Sequence, residues 1–367
     1  MPDIHLLMTA DAAGGIWTYA LETAEALSAR GISTTLALLG ERPSQSALRE
    51  ARSIAGLEIE ITDLPLDWTA MSASEVTHAG EEIARLSRRI GADVVQLNAP
   101  ALAAGASFPV PTIGVLHSCV GTWWQAVHGD GELPADLQWR AKLTRAGLTR
   151  VDAAIAPSQA LARQAQLLYT LPRAPIAIHN GRSAPDKARP PTRDIPVLTA
   201  GRLWDQGKNV AALDRAAEHL PFTICAAGPV QGPNGAAIEL NRLDWLGVLA
   251  PAALRDVMVR SSVFISAALY EPFGLAVLEA AQAGCTLVLS DIPTFHELWD
   301  EAALFVPPSD GRALAEALDT IIADPALRAR LAAQATRRAA RYTIDKSADA
   351  LAALMHSLLA EPQRRAS

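Results

Sequence analysis

Two cations stand six positions apart in Gly201-Arg202-Leu203-Trp204-Asp205-Gln206-Gly207-Lys208-Asn209. The segment follows an apolar run and precedes a helical one. Arg202, as a planar fork, and Lys208, as a point charge, can therefore converge on one anion, and a diphosphate suits that pair. Two glutamates separated by seven residues occur in Glu271-Pro272-Phe273-Gly274-Leu275-Ala276-Val277-Leu278-Glu279. Glu271 falls on a loop, Gly274 begins a helix whose first amides are unpaired donors, and Glu279 lies about one turn into that helix. A carboxylate accepts two hydrogen bonds and so can hold sugar hydroxyls. As plain structure, Glu271 would be a charge partner for a helix N-terminus and Glu279 a solvated helix position. Leu275, Val277, Leu278 and Ala281 make much of this helix look buried, which argues against an idle Glu279.

Two further segments follow candidate strands. Gly14-Gly15-Ile16-Trp17-Thr18-Tyr19 opens a helix, and its glycines allow close approach of backbone to a bulky or anionic ligand. They serve equally well as a turn from strand to helix. His117 stands at the end of an apolar run and before Ser118-Cys119-Val120-Gly121, where either a structural or a catalytic role is open to it.

The elements that must position these residues alternate short runs of Val, Ile and Leu with longer amphipathic stretches, the pattern of βαβ units on parallel sheets. In the first half the expected strands are Ile4 to Ala10, Thr34 to Leu39, Leu57 to Ile61, Val94 to Leu97, Thr112 to Leu116 and Ala153 to Ala156. Helices are expected at Trp17 to Arg30 and Ser74 to Ile90, with Gly31 and Gly91 as C-caps. Ala184 to Pro196 carries Pro185, Pro190, Pro191 and Pro196 with Lys187, Arg189 and Arg193, and reads as an exposed linker. The boundary is set there, giving domains 1–185 and 186–342. The strand grammar then restarts at Val197 to Ala200, Phe222 to Ala226, Val263 to Ala267 and Thr286 to Ser290. Asp3 to Ala10 and Asp194 to Ala200 are nearly the same phrase, as two copies of one architecture would give. From Asp310 the pattern is helical: Arg312 to Ile322, Ala326 to Tyr342 and Asp345 to Leu359. The arginines of the second of these, Arg328 to Arg341, read as a solvated face rather than a membrane-seeking one.

The chain has 367 residues, two domains' worth at roughly 150 residues each. Half of the residues are hydrophobic and 19% are charged, which supports real cores and excludes a disordered chain. A net charge of -7 makes nucleic acid a poor partner and weakens adsorption to anionic lipid, so a peripheral membrane contact is possible but unsupported. Cys119, Cys225 and Cys285 are far apart and suggest neither a disulfide framework nor a zinc site. With no signal-peptide pattern at the N-terminus, a cytoplasmic location is expected. Residues 94 to 129 lack Asp, Glu, Lys and Arg, but Pro100, Pro109, Pro111, Gly105 and Gly114 break the stretch into two buried strands with loops.

Together the four segments resemble the retaining glycosyltransferases of family four, whose fold is GT-B. The most specific match is Glu271-Pro272-Phe273-Gly274 to Glu279. Ile155-Ala156-Pro157-Ser158 and Ile178-His179-Asn180-Gly181 are similar to the family's phrases as well. The resemblance implies an α/β protein of two Rossmann-like, doubly wound parallel-sheet domains facing a deep cleft. The N-terminal domain would lie on the acceptor side, the C-terminal one would bind a nucleotide-sugar donor, and a final helix, about 343–360, would pack back on the first domain and act in the hinge. Arg202 and Lys208 would neutralise the donor diphosphate, so that no metal or other cofactor is needed. Glu279 would hold the nucleotide ribose, and Glu271 with the amides of Phe273, Gly274 and Leu275 the donor sugar and phosphate. His117 would contact the sugar near the reacting carbon. Gly14 and Gly15 would lie under diphosphate and acceptor, and Trp245 to Val248 against the base. Domain closure would exclude water from the donor.

Where many relatives carry histidines before Pro100, this chain reads Gln96-Leu97-Asn98. Tyr19, Asn98 and Trp123 are the candidates for acceptor contact, although Trp123 and Trp124 can equally be a buried pair. UDP-sugar comes first as donor and GDP-sugar second, by family frequency. The acceptor and the oligomeric state, monomer or homodimer, stay open. So do two other readings: a non-catalytic nucleotide-sugar binding protein, and a GT-B phosphorylase or hydrolysing epimerase.

Overall fold

The computed structural model describes residues 4–12, 14–129, 131–183, 193–233 and 235–365. The boundary set between 185 and 186 lies outside these residues, as do Asp3, Pro185, Lys187, Arg189, Pro190 and Pro191. The chain divides into two compact units. One comprises Met1–Gln125, Asp130–Gly181 and Ile344–Ser367, the other Ala126–Gly129 and Arg182–Thr343.

The first unit holds seven parallel strands in the order β3-β2-β1-β4-β5-β6-β7. They are β1 (Ile4–Asp11), β2 (Ile32–Leu39), β3 (Leu57–Ile61), β4 (Val94–Leu97), β5 (Thr112–Val115), β6 (Ala153–Ala156) and β7 (Ile176–Ala177). Helices α1 (Gly14–Ser28), α2 (Gln45–Arg52), α3 (Ala73–Ile90), α4 (Val120–His128), α5 (Ala135–Arg150) and α6 (Gln159–Tyr169) connect them. Strand alternation splits the core. Leu6 and Met8 of β1 face a cluster with Ala20, Ala24 and Leu27 of α1, whereas Leu7 faces one with Val76, Ala79 and Ile83 of α3. Local signals fix the ends of α3: Ser72 accepts from the Glu75 N–H at 3.3 Å, the Glu75 carboxylate reaches back to the Met71 N–H at 3.0 Å, and Gly91 closes the helix at φ 65°.

The second unit repeats the design with six parallel strands in the order β10-β9-β8-β11-β12-β13. They are β8 (Ile195–Ala200), β9 (Ile224–Ala227), β10 (Asp244–Trp245), β11 (Ser261–Ser266), β12 (Thr286–Ser290) and β13 (Ala303–Val306). Its helices are α7 (Val210–Ala216), α8 (Pro251–Arg260), α9 (Leu275–Gln282), α10 (Pro293–Trp299), α11 (Gly311–Ala323) and α12 (Pro325–Ala339). One face of the sheet buries Phe264 and Leu289 with Leu278 of α9 and Trp299. The other buries Val263 and Ile265 with Leu213 of α7 and Leu318 of α11. The last helix, α13 (Ile344–Arg365), belongs to the first unit, where Ala348, Leu351 and Met355 join the cluster around α1. Arg30 binds Asp349 at 2.7 Å and the Asp345 carbonyl at 3.0 Å.

In both sheets the strand order reverses once, between β1 and β4 and between β8 and β11. Loops leaving the carboxyl ends of such strands part there and leave room for a ligand. All four segments singled out in the sequence leave strands at or beside these two points. Among the described residues no helix is long and apolar enough to cross a membrane. The uncharged stretch 94–129 forms β4, β5 and α4, with both strands wholly buried.

Candidate active site

In the first unit a polar network sits at the reversal point. Asn98, just past β4, donates from its backbone N–H to Thr9 Oγ1 at 2.9 Å and from Nδ2 to the Thr9 carbonyl at 2.7 Å. Its Oδ1 accepts from Gln96 Nε2 at 3.1 Å and faces His117 Nε2 at 3.1 Å. Gln96 Nε2 also reaches the Tyr19 hydroxyl at 3.2 Å, and the Tyr19 and His117 rings meet edge to face at 4.6 Å. The amide of Asn98 must donate to a carbonyl, so its oxygen is the end that meets His117, and His117 Nε2 carries the proton. Burial pushes the His117 pKa down to about 4 and the Tyr19 phenol up to about 12. At neutral pH His117 is thus an uncharged imidazole with its lone pair on Nδ1.

The structure brings together Tyr19, Asn98 and His117, and adds Thr9 and Gln96. Gly14 and Gly15 form the first turn of α1, which begins three residues earlier than the sequence suggests. Trp123 lies in α4 with its ring 6.3 Å from that of Trp124, both half-buried.

In the second unit the loop after β8 and the loop after β11 form one piece. The Gly207 carbonyl accepts from the N–H groups of Leu269 at 2.9 Å and Tyr270 at 3.1 Å. Asn209 Nδ2 donates to the carbonyls of Ala267 and Pro308. Between these bonds Lys208 Nζ meets Glu271 Oε2 at 2.5 Å, with both side chains mostly buried. Arg202 meets a carboxylate of its own loop. Its Nη2 binds Asp205 Oδ2 at 3.0 Å, while Asp205 Oδ1 accepts from the Gly207 N–H and shapes the turn. The Arg202 side chain is 56% exposed, so its guanidinium is accessible to a ligand from solvent.

Gly274 has φ 90°, and a Cβ there would lie 3.2 Å from Val277 and 3.3 Å from Glu271. Glycine therefore sets both the entry to α9 and the placement of Glu271. The first amides of α9, from Leu275 on, have no intrahelical acceptor and carry the positive end of the helix dipole. Phe273 is buried and packs edge to face on Tyr342 at 5.7 Å. Gly228, at φ 138°, lets β9 approach β8 so closely that a Cβ would stand 1.9 Å from the Gly201 carbonyl. Beside it Trp245 is half exposed and donates Nε1–H to the Gly228 carbonyl at 2.8 Å.

Glu279 is not solvated. Its Oε1 lies 2.8 Å from Arg182 Nη2, and its side chain is 18% exposed. Burial holds the carboxyl above its usual range, while Arg182 and Arg255 pull it back down. Arg182 escaped the sequence reading although it directly follows Ile178-His179-Asn180-Gly181, because nothing local ties it to a residue 97 positions away. Asp205 was readable in principle: an Asp two residues before a Gly, at the start of a turn, is a common Asx pattern. Among the described residues no group of three His, Cys, Asp or Glu side chains is placed to hold a metal ion.

Two family models match the chain, glycosyltransferase family 4 over residues 13–182 and glycosyl transferases group 1 over residues 185–338. Glycogen synthase of Mycobacterium tuberculosis is 28% identical over 307 residues, which cover 77% of this chain and 72% of that protein. Sucrose-phosphate synthase from Thermosynechococcus elongatus superposes with a TM-score of 0.79 at 19% identity, covering 98% of this chain and 100% of the other. HepE of Anabaena, solved in complex with UDP-glucose, gives a TM-score of 0.75 at 18% identity, covering 97% and 100%. These two likenesses identify the fold as GT-B. The two matches abut at the passage from one unit to the next, one on the sheet that carries His117 and the other on the sheet that carries Lys208, Glu271 and Glu279, and the chain belongs to the family 4, group 1 type of glycosyltransferases.

Proposed function

We propose that this glycosyltransferase acts in the cytoplasm with retention of configuration. It moves a hexose-type sugar from a nucleoside-diphosphate sugar to an acceptor hydroxyl without a divalent cation. The observation that carries this reading is the Lys208–Glu271 pair, set between two loops at the reversal point of the second sheet and beside the N-terminus of α9. That place supplies a fixed cation, helix amides for phosphate oxygens and a carboxylate for sugar hydroxyls. Arg202 and Lys208 are assigned to the diphosphate. Glu271 and the amides of Phe273, Gly274 and Leu275 are assigned to donor sugar and phosphate, and Glu279 to the ribose. Gly14 and Gly15 serve the diphosphate and acceptor. Tyr19, Asn98 and, more weakly, Trp123 serve the acceptor, and His117 accepts a bond from a sugar hydroxyl.

In the reaction the bond between the anomeric carbon and the diphosphate oxygen breaks as the acceptor oxygen bonds that carbon on the same face. The acceptor proton passes to the departing diphosphate, giving a glycoside and a nucleoside diphosphate. Charge grows on the leaving oxygens as the bond stretches, and cations already in place lower that barrier most. UDP-sugar is the first donor to try, since HepE, of the same fold, was solved with UDP-glucose, and GDP-sugar is the second.

Thermal unfolding with UDP, GDP, ADP and dTDP, each with and without EDTA, tests the reading. A ligand at about a hundred times its dissociation constant adds roughly 2.7 kcal/mol. A selective rise in midpoint that EDTA leaves unchanged is expected, followed by turnover of the matching nucleotide sugar. Binding without turnover would favour a binding protein, and phosphate-dependent cleavage of a glycoside would favour a phosphorylase.

A further inference from the structure

The long segment of the second unit begins at Arg182 and ends at Thr343, and these two residues form a parallel β-bridge. The Arg182 N–H donates to the Tyr342 carbonyl at 3.2 Å, and Gln282, near the end of α9, approaches the Arg182 carbonyl at 3.5 Å. With its backbone held on both sides, the buried Arg182 reaches Glu279 Oε1 at 2.8 Å through Nη2.

We infer that Arg182 is a positioning residue for nucleotide recognition: it keeps the Glu279 carboxylate ionised and in one orientation, so that the diol of a ribose meets a ready acceptor. The inference rests on the reading of Glu279 as the ribose ligand. Two hydroxyls that both donate require a group that only accepts, and a carboxylate meets that requirement while a protonated carboxyl does not. A carboxylate so far from water needs a cation beside it to stay charged, and a guanidinium fixes direction as well as charge. Arg255 of α8 is the other cation that acts on Glu279; it supports the charge but makes no hydrogen bond to it.

The test compares the affinity of UDP with that of 2′,3′-dideoxy-UDP by titration calorimetry, in wild type and in Arg182→Gln, Arg182→Lys and Glu279→Gln. The corresponding guanosine pair serves if UDP does not bind. Wild type should prefer the diol by about tenfold or more. Arg182→Gln should bring the ratio close to one, with nearly all of the loss falling on UDP, and Arg182→Lys should restore part of the preference. If Arg182→Gln weakens both ligands alike, or changes neither, while Glu279→Gln abolishes the preference, the ribose reading stands and the role of Arg182 is overturned. If wild type itself ignores the diol, or binds neither nucleotide, the ribose assignment falls and takes the inference with it. Arg182→Lys keeps the comparison decisive should Arg182→Gln fail to fold.

Discussion

The side-chain amide of Asn98 dictates which nitrogen of His117 carries the proton, because Nδ2 is committed to the Thr9 carbonyl at 2.7 Å and only Oδ1 is left for the imidazole. Nitrogen-15 spectra of the imidazole should show a neutral, Nε2-protonated ring at pH 7 that stays neutral to well below pH 6. Asn98→Asp puts a carboxylate against the ring and should raise its pKa.

The same depressed pKa predicts a window of pH-dependent stability. An unfolded histidine binds a proton near pH 6.5, while folded His117 resists until about pH 4. Between those values the unfolded state holds more protons, so this contribution is complete above pH 6.5 and is lost as the pH falls toward 4. The shift corresponds to about 3 kcal/mol at most. Urea unfolding at pH 7.5, 6 and 5 should show a steeper fall for wild type than for His117→Gln, and parallel falls would refute the prediction.

Lys208→Ala should lower turnover of the nucleotide sugar by about 10²- to 10³-fold, the usual cost of removing one preorganised group from a developing oxyanion. It also leaves Glu271 mostly buried without its cation, so Glu271→Gln in the same chain should recover thermal stability without recovering turnover. Recovery of both would mean that Lys208 serves structure alone.

Gly274→Ala tests the entry to α9. A side chain at φ 90° costs about 1–2 kcal/mol, and its Cβ would press on Val277 and Glu271. The unfolding midpoint should fall, and activity should fall further than at Leu275→Ala, which carries no such conformational demand. Equal effects on activity would show that Glu271 is not placed by this glycine.

Asp214 bonds the backbone N–H groups of Asn241, Arg242 and Leu243 through one carboxylate oxygen, and these residues lead directly into β10 and Trp245. Asp214→Ala should cost about 2–4 kcal/mol through three donors left without a partner in a part-buried loop. If Trp245 to Val248 faces the base, discrimination among UDP, GDP and ADP should weaken in parallel. A destabilised protein with unchanged base preference would separate this loop from nucleotide choice.

How far such features can be read from the chain depends on where their partners lie. Strands β3 and β4 fall at the residues expected: β3 alternates apolar residues with Glu58 and Glu60 after Gly56, and β4 is a short, mostly apolar run after Asp93. Strands β7, β10 and β13 were not foreseen. The first two are two residues long and all three lie at sheet edges, where little burial is needed and the pattern is faint. Lys208 and Glu271 were each legible from a strand, a loop and a helix, but their mutual contact was not. Arg202, read together with Lys208 as a site for one anion, also meets Asp205, three residues along, a contact the reading did not include. The pairing of Asn98 with His117 needed the alignment of β1, β4 and β5, which no single segment encodes.

The return of α13 to the first unit sets an order on biosynthesis. Residues 182–343 leave the ribosome as one continuous block with their two apolar clusters complete, whereas the cluster around Leu6, Met8 and Leu27 waits for Leu351 and Met355. The unit that is translated first is thus the last to be sealed. Until then its nascent sheet presents an uncovered apolar seam, the kind of surface that chaperones shield.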